Sequence, residues 1–171
     1  MPNDAKAFAM ASSALTYWGN AASPPRLIQN RENAVFDITF ATQERVAMRL
    51  HRAGYRSRAA IESELAWCTA LADAGLRVPR PVPARNGRLT AHLERNTVSC
   101  VTWIDAAPLG AADQPLGPDA DAVRAEGVAL GALVGQFHNL ADQIPPPDGL
   151  VRQAWDADGL LGDRPVWGRF W

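Results

Sequence analysis

Three short segments rich in β-branched and aromatic residues follow one another in this chain: RLIQN at 26–30, AVFDITF at 34–40 and RVAMRLHR at 45–52. Only polar turns at 31–33 and 41–44 separate them. Strands joined by so few residues run antiparallel, because a parallel return needs a crossover of a dozen or more residues. The stretch therefore predicts a three-stranded meander. The period then changes. Ile61, Leu65, Cys68 and Leu71 or Ala72 recur at three- and four-residue steps, with Ser57 placed to cap the start and Gly75 just past the end. This pattern predicts a helix over 57–74.

Downstream, VPRPVPARNGRLTAHLE is an extended, proline-punctuated entry with Asn86-Gly87 as a hairpin turn, and SCVTWID continues as a further strand. Upstream, Phe8, Leu15 and Trp18 fall at helical spacings within 4–18, and Gly19-Asn20 is a stop signal. Residues 106–118 are rich in Gly, Pro and Ala. From 119 to 141 a second long helix carries Val123, Gly127, Leu130, Val134, Phe137 and Ala141 on one face, and Pro145, Pro146 and Pro147 end it.

The order predicts an α+β chain in which a five-stranded antiparallel sheet has one helix inserted after the third strand. That is the element order of a protein-kinase-like small lobe, followed by the start of a helical large lobe. The expected division is a small lobe with its N-terminal helix at 1–105, a hinge or linker at 106–118, and an incomplete helical lobe at 119–171.

Hydrophobic residues make up 47% of the chain and charged residues 20%, so burial can offset chain entropy and a folded protein is expected. The net charge of -1, with signs interspersed, gives no broad basic face, which argues against nucleic acid or an anionic membrane as the main partner. No run of about 18 apolar residues marks a membrane span, and the N-terminus lacks a secretory pattern, so the cytoplasm is the expected location. Cys68 and Cys100 have no second Cys or His at metal-ligand spacing and read as buried free thiols.

Sixteen of the 17 basic residues are arginine, Lys6 being the exception, so any site that ordinarily uses lysine must use arginine here. In the kinase plan a hairpin turn covers the ATP phosphates, a base on the third strand grips them, and a helical acid holds that base. Val46-Ala47-Met48-Arg49 stands where V-A-I-K stands in protein kinases, with Arg49 at the lysine position. Read without that plan, Arg49 is more readily a strand residue whose charge reaches solvent. Glu64 lies near the buried face of the helix and is the candidate partner, whereas Glu62 points elsewhere, into solvent. Removing Glu64 is therefore expected to cost more stability than removing Glu62.

Taken together, NRENAVFDI, VAMRLHRAGYRS, IESELAWCTAL, GLRVPRPVP and NGRL resemble the aminoglycoside phosphotransferase and choline kinase superfamily, including homoserine-kinase-like members. The run from 30 to 83 carries the most specific part of the likeness. By this resemblance Asn33 matches the Asn of the phosphate-covering hairpin, Arg49 the strand base and Glu64 the helix acid. Thr102, Trp103 and Ile104 match the hinge whose backbone hydrogen-bonds adenine, and His138 fits a family His at the end of the first large-lobe helix. ATP is the implied ligand, with a small hydroxyl-bearing acceptor.

The family's second lobe supplies H-x-D, whose Asp orients the attacking hydroxyl, and a later Asp that holds Mg2+. The histidines here begin HRA, HLE and HNL, so no H-x-D occurs. The expected function is the nucleotide-binding portion of an ATP-dependent hydroxyl kinase, with Mg2+ held only by a part this chain lacks. The rival reading is a non-catalytic binding or regulatory module that keeps the small-lobe fold.

Other features have plain readings. Asp156 to Gly159 is expected to be a turn and His138 a packed side chain. Gly127, Gly131 and Gly135 are expected to pack closely. The apolar residues from Leu150 to Trp171 are expected to need a partner surface or to drive self-association.

Overall fold

The computed structural model describes residues 2–107, 109–110, 117, 119–152, 154–165 and 168–169. Most of the expected 106–118 linker, and Val166, Trp167, Phe170 and Trp171 of the C-terminal segment, lie outside the described residues. Helix α1 spans Asp4–Trp18 and is capped by the Asn3 side chain, which accepts from the Lys6 amide. The meander follows as β1 (Arg26–Asn30), β2 (Asn33–Thr39) and β3 (Arg45–His51). Helix α2 spans Arg58–Asp73, with Ser57 accepting from the Ala60 amide. Gly75 takes φ +91° just beyond it, a conformation that suits glycine at a helix end.

Strands β4 (Pro81–Val82), β5 (Thr90–Leu93) and β6 (Asn96–Thr102) complete a six-stranded sheet of order β1-β2-β3-β6-β4, with β5 also on β6. All pairings are antiparallel. The expected sheet is thus present with one strand more. The Asn86-Gly87 turn also forms, with Gly87 at φ +77°, but it does not join two strands paired with each other. It lets the chain leave β4 and return as β5, and both lie on β6. The hairpin proper turns at Glu94 and Arg95, since Leu93 faces Asn96.

Alternation along β2 and β3 sends Ala34, Phe36, Ile38, Val46, Met48 and Leu50 to one face, where they join Val98 and Cys100 against α1. Burial of this face is the main source of stability. The inward residues of α1 are Ala7, Met10, Ala11 and Ala14, and small side chains there let the helix lie close to the sheet. Leu15 and Trp18 pack at the margin, whereas Phe8, at helical spacing with them, is 41% exposed. The last turn of α1 also reaches the far side of the sheet, where the Tyr17 hydroxyl donates to the His92 carbonyl at 3.0 Å and the Trp18 indole donates to the Val82 carbonyl at 2.8 Å.

The opposite sheet face meets α2 through Ile61, Leu65, Val101, Ala47 and Leu89. Helix α3 spans Ala120–Gln143 with Asp119 as its cap, close to expectation. None of its residues is buried, and a Cβ at Gly127, Gly131 or Gly135 would meet nothing within 4 Å. The close packing expected of these glycines is therefore absent among the described residues. His138 is exposed beside Phe137, not packed inside. Asp156, expected in a turn, caps the short helix α4 (Ala157–Leu161). No described helix is long and apolar enough to cross a membrane.

Candidate functional site

Because β3 alternates, the residues left facing α2 are Arg45, Ala47, Arg49 and His51, and those of β2 are Asn33, Val35, Asp37 and Thr39. Arg49 pairs in register with Val35 on one side and Ser99 on the other. Its guanidinium lies 3.6 Å from Oε1 of Glu64 on α2, so the strand base and helix acid named from sequence do meet. Both side chains are about 40% exposed, at 37% and 43%. A third group, unforeseen from the sequence, completes the cluster: Arg152 donates to Oε2 of Glu64 at 3.1 Å, while the neighbouring Val151 amide donates to the Ser63 hydroxyl at 2.9 Å. One carboxylate thus serves two guanidinium groups.

Of the remaining candidates, Asn33 starts β2 and Thr102 ends β6, with Trp103 and Ile104 just beyond it. Thr102 faces Val46, three residues along β6 from the partner of Arg49, or about 10 Å at the usual strand rise. Asn33 faces His51, at the other end of the strand pair. The hinge candidates, the strand base and the β1–β2 turn therefore form a line, with half-buried Val35 and Ala47 between. The hinge backbone is partly engaged already. The Thr102 amide donates to the Arg80 carbonyl at 2.8 Å, and the Trp103 amide donates to the Arg45 carbonyl at 3.1 Å. At the turn, the Arg31 amide donates back to the Asn33 carbonyl at 3.2 Å, and Glu32 pairs with Arg52 at 3.4 Å.

His51 accompanies Arg49 on this face. Its Nε2 is 2.9 Å from the Ser99 hydroxyl, and its carbonyl accepts from Asn96 at 2.8 Å. Burial, reinforced by the Arg49 charge, pushes the imidazole down to about 4. Unfolded histidine takes up its proton near 6.5. Between those values the unfolded state binds more protons, so stability is complete above pH 6.5 and falls as pH drops through the window, by roughly 3 kcal/mol in total. Urea midpoints measured from pH 7 to 4 should decline accordingly, and His51→Gln should flatten that part of the profile.

Glu62 departs from expectation. It does not project freely into solvent: Oε1 accepts from the Thr90 hydroxyl at 2.6 Å and from Arg58 Nε at 2.9 Å. The Thr90 bond, with Arg58 in support and burial opposing, holds its carboxyl below the usual range. Thr90 is 1% exposed, so deleting Glu62 would leave a buried hydroxyl without its acceptor, at about 1–2 kcal/mol. The Glu64 contacts are solvent-screened and are worth about 0–1 kcal/mol. Glu62→Ala should therefore lower the urea midpoint more than Glu64→Ala, the reverse of the ranking expected from sequence.

Among the described residues no group of three or more His, Cys, Asp or Glu is arranged to hold a metal. Cys100 is buried and Cys68 half-buried, and burial raises the pKa of both thiols.

An antiparallel sheet whose third strand carries a cation held by a helical acid is the small-lobe architecture of kinase-like phosphotransferases. The chain belongs to the phosphotransferase enzyme family: the family's APH model matches residues 26–168. No curated protein gives a significant match. Among solved structures, the microcompartment-associated aminopropanol kinase is 29% identical with a TM-score of 0.72, covering 94% of this chain and 49% of that one. The amicoumacin kinase hAmiN, in complex with AMP-PNP, Ca2+ and Ami, is 18% identical with a TM-score of 0.71, covering 90% of this chain and 46% of that one. The chain thus spans about half the length of these two structures.

Proposed function

We propose that this chain carries the nucleotide-binding portion of an ATP-dependent kinase acting on the hydroxyl of a small molecule. The observation that carries the reading is the Arg49–Glu64 pair between β3 and α2, on the sheet face that also holds Asn33, with the strand end at Thr102 three residues along β6 from the Arg49 partner. Arg49 would grip the phosphates with its planar fork, and Glu64 would keep the guanidinium from folding onto the sheet. Asn33 and its turn would cover the phosphates. The adenine edge would meet residues 102–104, chiefly through Ile104 and the carbonyls, because the Thr102 and Trp103 amides are engaged. Val35 and Ala47 would give the base an apolar wall.

In this reading residues 1–105 form the small lobe, 106–118 the connection, and 119–171 the start of a helical lobe, all in the cytoplasm. Neither H-x-D nor a following metal-binding Asp is contributed by these residues, so Mg2+ and transfer would depend on groups outside them. The aminopropanol kinase likeness makes an amino alcohol the acceptor class to try first.

The test is calorimetric titration of residues 1–171 with ATP, alongside an assay for phosphate transfer to amino alcohols. One-site ATP binding without transfer is expected. Failure to bind ATP at millimolar concentration would favour the non-catalytic module, and transfer that survives repurification would refute the assignment of the catalytic groups to other residues.

A further inference from the structure

Near the β6 end of the same face lies a group that the phosphate-gripping cluster does not use. Asp37 sits on β2 with its side chain only 9% exposed. It accepts from Arg45 twice, Nε to Oδ1 at 3.0 Å and Nη2 to Oδ2 at 2.9 Å, and from Arg26 at 2.6 Å. The bidentate pair fixes the plane of the Arg45 guanidinium. That plane lies over the Trp103 ring, 4.1 Å from its centroid. The Arg45 main chain holds the same residue from below, its carbonyl accepting the Trp103 amide at 3.1 Å. Asp105, two residues further on, also attracts the guanidinium. An exposed arginine on an isolated strand would sample many rotamers, but this one is clamped at its far end and covers an indole.

We propose that Asp37 and Arg45 are positioning residues for the nucleobase: the clamped guanidinium and the Arg45 carbonyl together fix Trp103 and so set the orientation of the backbone that reads the base. The proposal rests on the reading that residues 102–104 receive adenine. The base edge is read by fixed main-chain groups, and these discriminate only if they are held in place before the ligand arrives. Asp37 touches no ligand in this scheme and acts through Arg45 and Trp103.

The test compares ATP with inorganic tripolyphosphate, which shares the phosphates and lacks the base, in calorimetric titrations of wild type, Asp37→Asn and Arg45→Lys. The ratio of the two dissociation constants measures what the base contributes. Asp37→Asn is expected to weaken ATP by about tenfold, the scale of one charge-assisted hydrogen bond, and to leave tripolyphosphate unchanged. Arg45→Lys keeps the charge but loses the fork and should produce the same one-sided loss, which guards against misfolding of the first variant. Equal weakening of both ligands, or no weakening of ATP, would overturn the proposal and leave the ATP reading intact, whereas a wild-type ratio near one would overturn it together with the placement of adenine at residues 102–104. A wild-type chain that binds no ATP would overturn both.

Discussion

Arg49→Ala is expected to weaken ATP binding by about 10- to 100-fold, the range set by losing charge-assisted hydrogen bonds worth about 1.5–3 kcal/mol. The substitution leaves the sheet core untouched, because Arg49 lies on the face away from α1 and is already more than a third exposed. Its urea midpoint should therefore stay close to wild type, separating loss of binding from loss of fold. Arg49→Lys restores a cation without the planar fork and should recover most of the affinity. Glu64 would still have Arg152 as a partner at 3.1 Å in the alanine variant, so no charge is stranded. Unaltered ATP affinity in Arg49→Ala would return this residue to the role of a solvent-reaching strand arginine.

The largest stability effect is expected in the core beneath α1. Phe36 is fully buried at the centre of the β2 stripe, facing the alanine-lined side of the helix. Phe36→Ala should cost about 3–5 kcal/mol, the range for deleting a fully buried aromatic ring. Phe8→Ala, on the outer side of the same helix, should stay within about 1 kcal/mol because Phe8 is 41% exposed. Denaturant unfolding of the two variants decides the matter, and comparable midpoints would mean that α1 does not lie as described.

The contrast also shows what was legible in the sequence. The ends of α2 could be read to the residue because Ser57 and Gly75 are local signals, and the meander because its turns are too short for any other path. The inner face of α1 was not legible because its buried residues are mostly alanines, which carry little periodic signal, while the conspicuous Phe8 turns outward. Asn86-Gly87 was read correctly as a turn but wrongly as a hairpin, because pairing to β6 is decided by residues farther along the chain.

In the candidate site, Arg49 and Glu64 were found because a motif and a helix stripe point to them. Arg152 lies 88 residues from Glu64 and carries no motif. Asp37 and Arg45 look like ordinary outward strand residues until the register puts them side by side. Glu62 was misread because a charged residue beside the buried stripe resembles any solvated acid, and its partner Thr90 arrives from another strand.

The contacts made by Tyr17 and Trp18 bear on how this sheet behaves among its own copies. A free strand edge is a template for another chain, since each unpaired carbonyl invites an amide from a neighbour. Here two carbonyls on the outer strands, those of His92 and Val82, are already occupied by the phenol and indole at the end of α1. Pro81 has no amide to offer an incoming strand. At the opposite margin β1 is interrupted by a register shift between Leu27 and Gln29, and a kinked strand is a poor template. Both margins thus oppose intermolecular strand addition, and on the β4–β5 side a helix built mainly to cover the core also serves as the guard.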